Sequence, residues 1–422
     1  MTAVAARTSA GHRRLYRDAA SLASSSMLTA ALGFGFWAMS ARLLPPATLG
    51  VETALLAIIT APAIVIASGV GDAFTALLPV AGRSAGEVVR RGYRMLIGIA
   101  LLLGAGAGTL AVTVLPQVRG SIPVALLVLG GVLTWALFVV QDPALTSLGR
   151  ARWLPIENGS VSIAKIALLP LALGVALPHP VVVVSVLPTL GAIAVLRPQV
   201  RRLAAGRPDG PGTIGADAVT ELPRLAARTT TSIAMSLGVL TATPFLVTAA
   251  AGPTEGAVFS LGLAIVQSLD FVGAALGVSL VVHAAGAGAD GAHMARMVFA
   301  RSAAIVGTAA IALVALTPFV LRLLNPRYLH LHGVAVIALL AFGSVSRCGY
   351  VIWAALQRAR RRMRALMAFN AVAAALVLAA IVPVADRWGA VGAAALVAAA
   401  NLLLSLCAAG HVAAGARPGA GR

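Results

Sequence analysis

Charged residues are scarce in this chain, and acidic ones above all. Only 11% of its 422 residues are charged. Thirteen residues are Asp or Glu, and Lys165 is the one lysine. A soluble domain has about 25% charged residues, so this composition excludes a soluble globular protein. The two cysteines, Cys348 and Cys407, form no metal-binding or disulfide pattern. The alternating pattern of a membrane β-barrel is also absent.

Long apolar runs occupy most of the chain instead. Each is close to the roughly 20 residues that an α-helix needs to cross a bilayer. We therefore predict an all-α polytopic membrane protein with twelve spans. Their predicted bounds are 20–43, 50–78, 93–115, 122–142, 155–177, 181–197, 226–249, 256–282, 299–321, 334–357, 365–384 and 389–412.

Basic residues are distributed unevenly between the two sides of the predicted spans. If the N-terminus is cytoplasmic, 25 of the 32 basic residues lie at cytoplasmic ends, five lie at outer ends and two lie within spans. This distribution follows the positive-inside rule and predicts that both termini are cytoplasmic. Orientation and contact with anionic membrane lipids then account for the net charge of +19. We predict no nucleic-acid partner.

A long polar segment divides the chain near its middle. It predicts two six-helix lobes. The predicted parts are an N-terminal tail (1–19), a first lobe (20–198), a cytoplasmic linker (199–223), a second lobe (224–412) and a C-terminal tail (413–422). Parts of the lobes resemble each other: "PATLGVETALLAI" (Pro46–Ile58) is similar to "PTEGAVFSLGLAI" (Pro253–Ile265), and "SSSMLTAALG" (Ser24–Gly33) to "TTTSIAMSLG" (Thr229–Gly238). Two similarly oriented repeats around a cleft are typical of transporters. The alternative is chance similarity between alanine-rich helices.

Polar side chains within the spans are the candidates for a transport site, because ionisable groups are costly in a bilayer. Lys165 lies about 15 Å from the cytoplasmic end of its span, on one helical face with Asn158 and Ser162. We predict that the substrate cavity, for a pyrophosphate or a sugar, is lined by Arg42, Lys165, Gln267, Arg347 and Tyr350. We predict ion coupling or charge pairing at Glu52, Asp72 and Asp270. The alternatives are structural ion pairs, or for Arg42 a side chain that reaches the headgroups.

The stretch "QDPALTSLGRARWLPIEN" (Gln141–Asn158) forms a short polar connection between two predicted spans. Gln141 and Asp142 are predicted to close one helix. Pro155 is predicted to open the next, with Glu157 in its first turn, where the helix dipole favours an acid. Ion pairs here would form a cytoplasmic gate, and the alternative is an ordinary interfacial loop. The predicted gate residues are Gln141, Asp142, Arg150, Arg152, Glu157 and Asn158.

Another motif, "GAGAG" (Gly104–Gly108), lies inside a span. No strand precedes it, so it is predicted to be a helix-packing motif and not a phosphate-binding loop.

Two of these stretches resemble a known family. "ARLLPPATLG" (Ala41–Gly50) is similar to the A-R-x-L-x-P-x-x-x-G signature of polysaccharide-biosynthesis flippases, and "QDPALTSLGRARWLPIEN" is similar to their connection between helices 4 and 5. These proteins belong to the multidrug/oligosaccharidyl-lipid/polysaccharide (MOP) exporter superfamily. The resemblance covers the first half by motif and the second half by helix count. It implies a MATE-like arrangement of two six-helix lobes.

The resemblance also implies a function. The expected activity is an alternating-access flippase, not an enzyme, that moves a polyprenyl-pyrophosphate-linked oligosaccharide to the outer leaflet of the bacterial plasma membrane for cell-envelope polysaccharide synthesis. Basic side chains in the cavity would bind the anionic pyrophosphate. No cofactor or metal is expected, although H+ or Na+ coupling is open. Polysaccharide polymerases or glycosyltransferases are possible partners, besides membrane lipids.

Two rival classes of function stay open at the level of sequence: another transporter of the same superfamily, and a membrane-embedded enzyme. A MATE-type multidrug or metabolite antiporter would have a cavity dominated by acids, whereas this chain places two bases deep in its spans. The lipid II flippase branch is expected to have fourteen helices, against twelve predicted here. A membrane-embedded polymerase or glycosyltransferase would have large outer loops with paired carboxylates, and the predicted outer loops are short.

Overall fold

Every regular element in the described part of the chain is a helix. The computed structural model describes the backbone of residues 31–210, 212–284, 291–359 and 363–415. It describes the side chains of the same residues except those at 268, 270–302, 355–356, 358–363 and 413–415. The predicted all-α fold is confirmed. The predicted tail at 1–19 and most of the predicted tail at 413–422 fall outside the described residues.

Fourteen helices follow one another in the described chain. Those of the first half are α1 (31–43), α2 (Pro46–Leu77), α3 (Ala85–Val114), α4 (Ile122–Val139), α5 (Gln141–Ser147), α6 (Leu154–Gly174), α7 (Pro180–Ala205) and α8 (Ala216–Ile233). Those of the second half are α9 (Val239–Ala251), α10 (Pro253–Ala284), α11 (Gly291–Leu324), α12 (Arg327–His330), α13 (Gly333–Ala359) and α14 (Met363–Gly415). A π-helical turn, Ala234–Gly238, joins α8 to α9.

Nine helices in the described residues are long and apolar enough to cross a membrane. The longest of these segments, Arg364–Val412, contains the two predicted spans 365–384 and 389–412. The second of them begins at Gly389, where the backbone of α14 is not helical (φ 59°, ψ −150°). The predicted spans 20–43 and 256–282 lie partly outside the residues or side chains described. The polytopic membrane architecture is confirmed, while the count of twelve and the side of the termini stay predictions.

The described chain forms two compact units. The first comprises the described residues up to Phe36 together with Leu55–Gly238, and the second comprises Trp37–Ala54 and the chain from Val239 onward. The second boundary therefore lies in the π-helical turn, beyond the predicted linker. The reason is that α8 packs against α3 and so belongs with the first unit.

The part of α2 from Leu55 onward belongs to the first unit. Its Gly71 approaches α5 so closely that a Cβ atom there would lie 2.6 Å from Cγ of Pro143. On another side, α4 approaches α2 at Gly131, where a Cβ atom would lie 2.8 Å from Cδ1 of Ile59. The start of α5 is thus packed directly against α2.

The glycine run "GAGAG" packs α3 against α4. A Cβ atom at Gly108 would lie 2.6 Å from the carbonyl oxygen of Ala125, and one at Gly104 would lie 3.1 Å from that of Leu129, whereas Gly106 has nothing within 4 Å. Residues four apart share a helical face, and small residues there let two backbones approach. The prediction of a helix-packing motif is confirmed.

The irregular part of the predicted linker is shorter than 199–223, because α7 continues to Ala205 and α8 begins at Ala216. Asp209 in this segment accepts a hydrogen bond from the backbone N–H of Arg83 (2.9 Å) and pairs with the Arg83 side chain (Nε to Oδ2, 3.1 Å). The N–H of Ile214 donates to the carbonyl of Val80 (2.9 Å). The linker is therefore attached to the turn between α2 and α3.

The second unit is built around α13, which packs against α10, α11 and α14. Both α2 and α10 begin at a proline, Pro46 and Pro253, which are the first residues of the two similar stretches in the sequence. Glu255, in the first turn of α10, accepts a hydrogen bond from the N–H of Ala390 (2.7 Å). This carboxylate satisfies a backbone donor at the restart of α14 after Gly389.

Candidate functional site

A buried polar cluster lies in the first unit where α5 and α6 begin. Glu157 is 5% exposed, and neither carboxylate oxygen has a hydrogen-bond partner among the described residues. Asp142 is close enough to repel it electrostatically. Asn158 Nδ2 donates to Asp142 Oδ2 (3.4 Å), while Asp142 Oδ1 is enclosed without a partner. The structure therefore brings together two acids from the connector singled out in the sequence.

Gln141 lies beside Asp142 and is fully buried. Its Nε2 donates to the carbonyl of Leu137 (3.3 Å), and its Oε1 has no partner in the described chain. The chain reaches this position because α4 ends at Val139 and a separate short helix starts at Gln141. The prediction that Gln141 and Asp142 close a helix is wrong, since both lie in the first turn of α5. The other local predictions are confirmed: Pro155 is in the first turn of α6, and so is Glu157.

Two further residues complete the cluster. Tyr93 of α3 is buried, its hydroxyl has no described partner, and it interacts electrostatically with both Glu157 and Arg197. The guanidinium of Arg197, on α7, lies 5.2 Å from the Tyr93 ring centroid, and its Nε is enclosed without an acceptor. Tyr93 thus lies electrostatically between the acid pair and Arg197. No guanidinium nitrogen of Arg197 lies within 4.0 Å of a described carboxylate oxygen.

The ion pairs expected for the gate are not formed among the described residues. Arg150 places its guanidinium 5.8 Å from the Trp153 ring centroid, and Arg152 is exposed. The physical reason is the helical geometry: Glu157 points into the unit from the first turn of α6, whereas both arginines precede that helix. A gate at this position stays a prediction, but its expected ion pairs are wrong for this conformation.

Lys165 lies on α6, seven residues after Asn158 and on the face predicted for it. It is half-buried, and its Nζ lies 4.4 Å from the ring centroid of Trp135 on α4. No described acid lies within ion-pair distance of it. The only lysine of the chain is therefore positioned by an aromatic ring, in a cation–π contact.

The cavity residues predicted for the second unit lie on α10 and α13. Arg347 is half-buried, and Tyr350 is buried one turn later. Tyr350 donates its hydroxyl hydrogen to Asn370 Oδ1 (2.7 Å), and its backbone N–H donates to Ser405 Oγ (3.1 Å). Gln267 of α10 is exposed, and the side chain of Asp270 lies outside the described part.

The remaining predicted residues do not join the polar cluster. Arg42, near the end of α1, is exposed, and so is Asp72 on α2. Glu52, in the second turn of α2, is 2% exposed and has interaction partners of its own. Within the residues described, His, Cys, Asp and Glu form no group of three or more that could hold a metal ion.

Sequence reasoning missed Tyr93, Trp135 and Arg197. Arg197 was counted only among the basic residues that orient the protein, and Tyr93 lies at the beginning of an apolar span. One signal was present for Trp135, because an aromatic residue in a span can position a cation. Its pairing with Lys165 depends on how α4 packs, which the sequence does not give.

Comparison with known proteins identifies the fold. No family model and no curated protein matches the sequence. Among solved structures, the chain is similar to the lipid II flippase MurJ in an inward closed conformation, with a TM-score of 0.75, 11% identity and coverage of 92% of this chain and 86% of that one. It is also similar to an inward-facing multidrug-resistance MATE family transporter of the MOP superfamily, with a TM-score of 0.67, 13% identity and coverage of 95% and 100%.

The chain has the fold of MOP-superfamily transporters. A Vibrio cholerae MATE transporter, VcmN, also matches, with a TM-score of 0.55, 14% identity and coverage of 94% of this chain and 98% of that one. The predicted difference in helix number from the lipid II branch does not prevent the match to MurJ. In this MOP-type fold, the acid pair and Lys165 both belong to the first unit.

Proposed function

We propose that the chain is an alternating-access flippase that moves a polyprenyl-pyrophosphate-linked oligosaccharide from the cytoplasmic to the outer leaflet of a bacterial plasma membrane. Lys165 carries the proposal. It is a cation within the apolar span Ala151–Gly174, it has no described carboxylate partner, and a ring holds it in place. An ammonium in this state can bind an anionic headgroup through charge-assisted hydrogen bonds.

The fold and the second unit support the same function. The similarity to a protein named as a lipid II flippase is consistent with transport of a lipid-linked substrate. Arg347 is a second half-buried cation within an apolar span, on α13. Enzymes that extend or polymerise the sugar are the partners expected on this basis.

A MATE-type antiporter is the second candidate. The acid pair Asp142 and Glu157 favours it, because buried carboxylates suit a cationic substrate or a coupling ion, and the chain spans the whole length of one MATE structure. A polymerase or glycosyltransferase has no such support from the fold.

The test is the leaflet location of lipid-linked oligosaccharide after depletion of the protein in its own host. Spheroplasts are probed with a membrane-impermeant lectin, and outer-leaflet intermediate is compared with the total. The flippase predicts that intermediate accumulates but stays inaccessible. Complementation with Lys165→Met is expected to fail, and Arg90→Gln, which removes an exposed cation, is the matched control.

Other results of this assay would replace the proposal. Intermediate that remains accessible at its normal level would favour drug or metabolite export. Intermediate that is accessible but never elongated would favour a polymerase.

A further inference from the structure

The turn of α13 that carries Arg347 is bonded to α14 through its backbone. The hydroxyl of Ser405 on α14 accepts a hydrogen bond from the N–H of Tyr350 (3.1 Å) and donates one to the carbonyl oxygen of Ser346. These two backbone groups are the ones that bond to each other in a regular α-helix. One hydroxyl therefore engages both members of a backbone hydrogen-bonding pair in the neighbouring helix.

Ser405 reaches this backbone because α13 and α14 lie close together. A Cβ atom at Gly343 of α13 would lie 3.0 Å from Cα of Ala398 on α14. Tyr350 and Ser405 follow these two residues by seven positions each, which is about two helical turns. The two helices thus run in the same direction in this part, and the small residue at Gly343 permits the approach. The contact of Ser405 with the α13 backbone therefore follows from the packing of the two helices.

The same turn is held a second time by a side chain. The hydroxyl of Tyr350 donates to Oδ1 of Asn370 (2.7 Å), and both residues are buried. Asn370 precedes the break of α14 at Gly389, whereas Ser405 follows it. Two separate stretches of α14 thus fix one turn of α13. Such bonds are favourable within an apolar span, because little water is present to replace them.

Arg347 lies between the two bonded backbone groups. It directly follows Ser346, whose carbonyl is bonded, and it precedes Tyr350, whose N–H is bonded, by three residues. Arg347 is half-buried, within the apolar span Gly333–Ala354. A side chain that enters the hydrogen-bond ladder of a helix is one of the few causes of a local change in helix direction. Because the guanidinium is at the end of a long side chain, a small rotation of this turn would displace it further than the backbone.

We propose that Ser405 is a positioning residue for Arg347: its hydroxyl sets the turn of α13, and thereby the direction in which the cation meets an anionic headgroup. This rests on the proposed function, in which Arg347 binds that headgroup. Ser405 acts through the backbone and not by touching the substrate. An alanine at this position should therefore impair binding while every charge of the chain stays in place.

The first test is a double-mutant cycle of substrate affinity. The probe is a fluorescent polyprenyl-pyrophosphate sugar, titrated against the purified full chain in detergent. Ser405→Ala should weaken binding by about threefold to thirtyfold, which is the range of coupling between residues that act together. The same substitution should have no further effect in the Arg347→Ala variant, because no guanidinium is left to position.

Two further variants separate positioning from folding. Ser405→Thr keeps a hydroxyl at this position and should bind the probe as the wild type does. Ser260→Ala is the matched control in the same unit, because its buried hydroxyl donates to the carbonyl of Gly256 in its own helix. That variant should leave the affinity unchanged. A Ser405→Thr variant as weak as Ser405→Ala would show that the loss is one of packing, against the proposed role.

The second test needs no substrate. Hydrogen–deuterium exchange is followed by mass spectrometry on the full chain in detergent, for peptides that cover residues 344–352. Ser405→Ala should speed exchange in this turn, because the N–H of Tyr350 loses its partner on α14. Ser405→Thr and Ser260→Ala should exchange as the wild type does.

The two tests distinguish this role from the proposed function. Either unchanged affinity or unchanged exchange in Ser405→Ala would overturn the positioning role. An equal loss of affinity with and without Arg347 would do the same, because Ser405 would then act independently of the cation. If instead Arg347→Ala binds the probe as tightly as the wild type, the proposed function is wrong about its second cation, and the positioning role fails with it.

Discussion

The ammonium of Lys165 lies 4.4 Å from the centre of the Trp135 ring, which joins α6 to α4 inside the first unit. A cation–π contact of this kind is worth about 0.5–2 kcal/mol and fixes the direction in which the charge points. No described carboxylate lies within ion-pair distance of the ammonium, so the N–H donors that do not face the ring can bind an anion. Trp135 is therefore part of the candidate substrate site, although it carries no charge.

Lys165→Met should reduce lipid transport by about tenfold to a hundredfold, because charge-assisted hydrogen bonds are worth about 1.5–3 kcal/mol. Its melting temperature should change by only a few degrees. Transport is measured in proteoliposomes with a fluorescent polyprenyl-pyrophosphate sugar. Arg90→Gln is the control, because it removes an exposed cation from the same unit. Undiminished transport by Lys165→Met would exclude the ammonium as a headgroup ligand.

Arg347→Ala should also reduce transport by about tenfold or more, for the same electrostatic reason in the second unit. The backbone around it is held by the hydrogen bonds of Tyr350, so the fold should persist. Arg327→Ala is the comparison, because that arginine is exposed in the same unit. If the two variants transport equally well, the second cation has no part in substrate binding.

Gly108→Ala should lower the free energy of unfolding by about 1–3 kcal/mol, because a methyl group there overlaps the carbonyl of Ala125. Gly106→Ala lies in the same helix only two residues away, and it faces open space. That control should be neutral or slightly stabilising, since alanine favours helix. Thermal unfolding in detergent, followed by tryptophan fluorescence, compares the two. Equal melting temperatures would show that α3 and α4 can separate without cost.

Gly389→Ala should destabilise the second unit by about 1–3 kcal/mol. Its backbone (φ 59°, ψ −150°) is accessible to glycine and strained for other residues. An added Cβ atom would also lie 2.6 Å from Glu255 Oε2 and disturb the bond to Ala390. Gly410→Ala, in the regular part of α14, is the matched substitution and should not destabilise. A melting temperature equal for both would contradict the strain at Gly389.

The sequence predicted best those features that depend on neighbours along the chain. Apolar runs indicated membrane helices because a bilayer accepts little else. Pro155 and Glu157 indicated the start of α6 because both act within one helical turn, and the spacing of Gly104 and Gly108 indicated a packed helix face. The candidate site was predictable only in part. Asp142 and Glu157 were found because they are rare acids in a short connector.

The rest of the site depends on contacts between distant segments. Tyr93 and Arg197 belong to helices whose packing no local pattern specifies. The separate α5 was missed because Gln141 and Asp142 follow an apolar span without a proline or glycine between them. The expected ion pairs failed because alternation of charge along a connector does not determine which side chains enter the core.

The grouping of Trp37–Ala54 with the second unit has a consequence for how this gene can be divided. A break in the 206–215 segment would give an N-terminal fragment that carries residues 37–54 of the second unit. The C-terminal fragment would hold the rest of the second unit without those residues. Neither fragment would contain every residue of one compact unit. Recombination between related genes at this segment would therefore preserve folding only if the exchanged parent also matched residues 37–54.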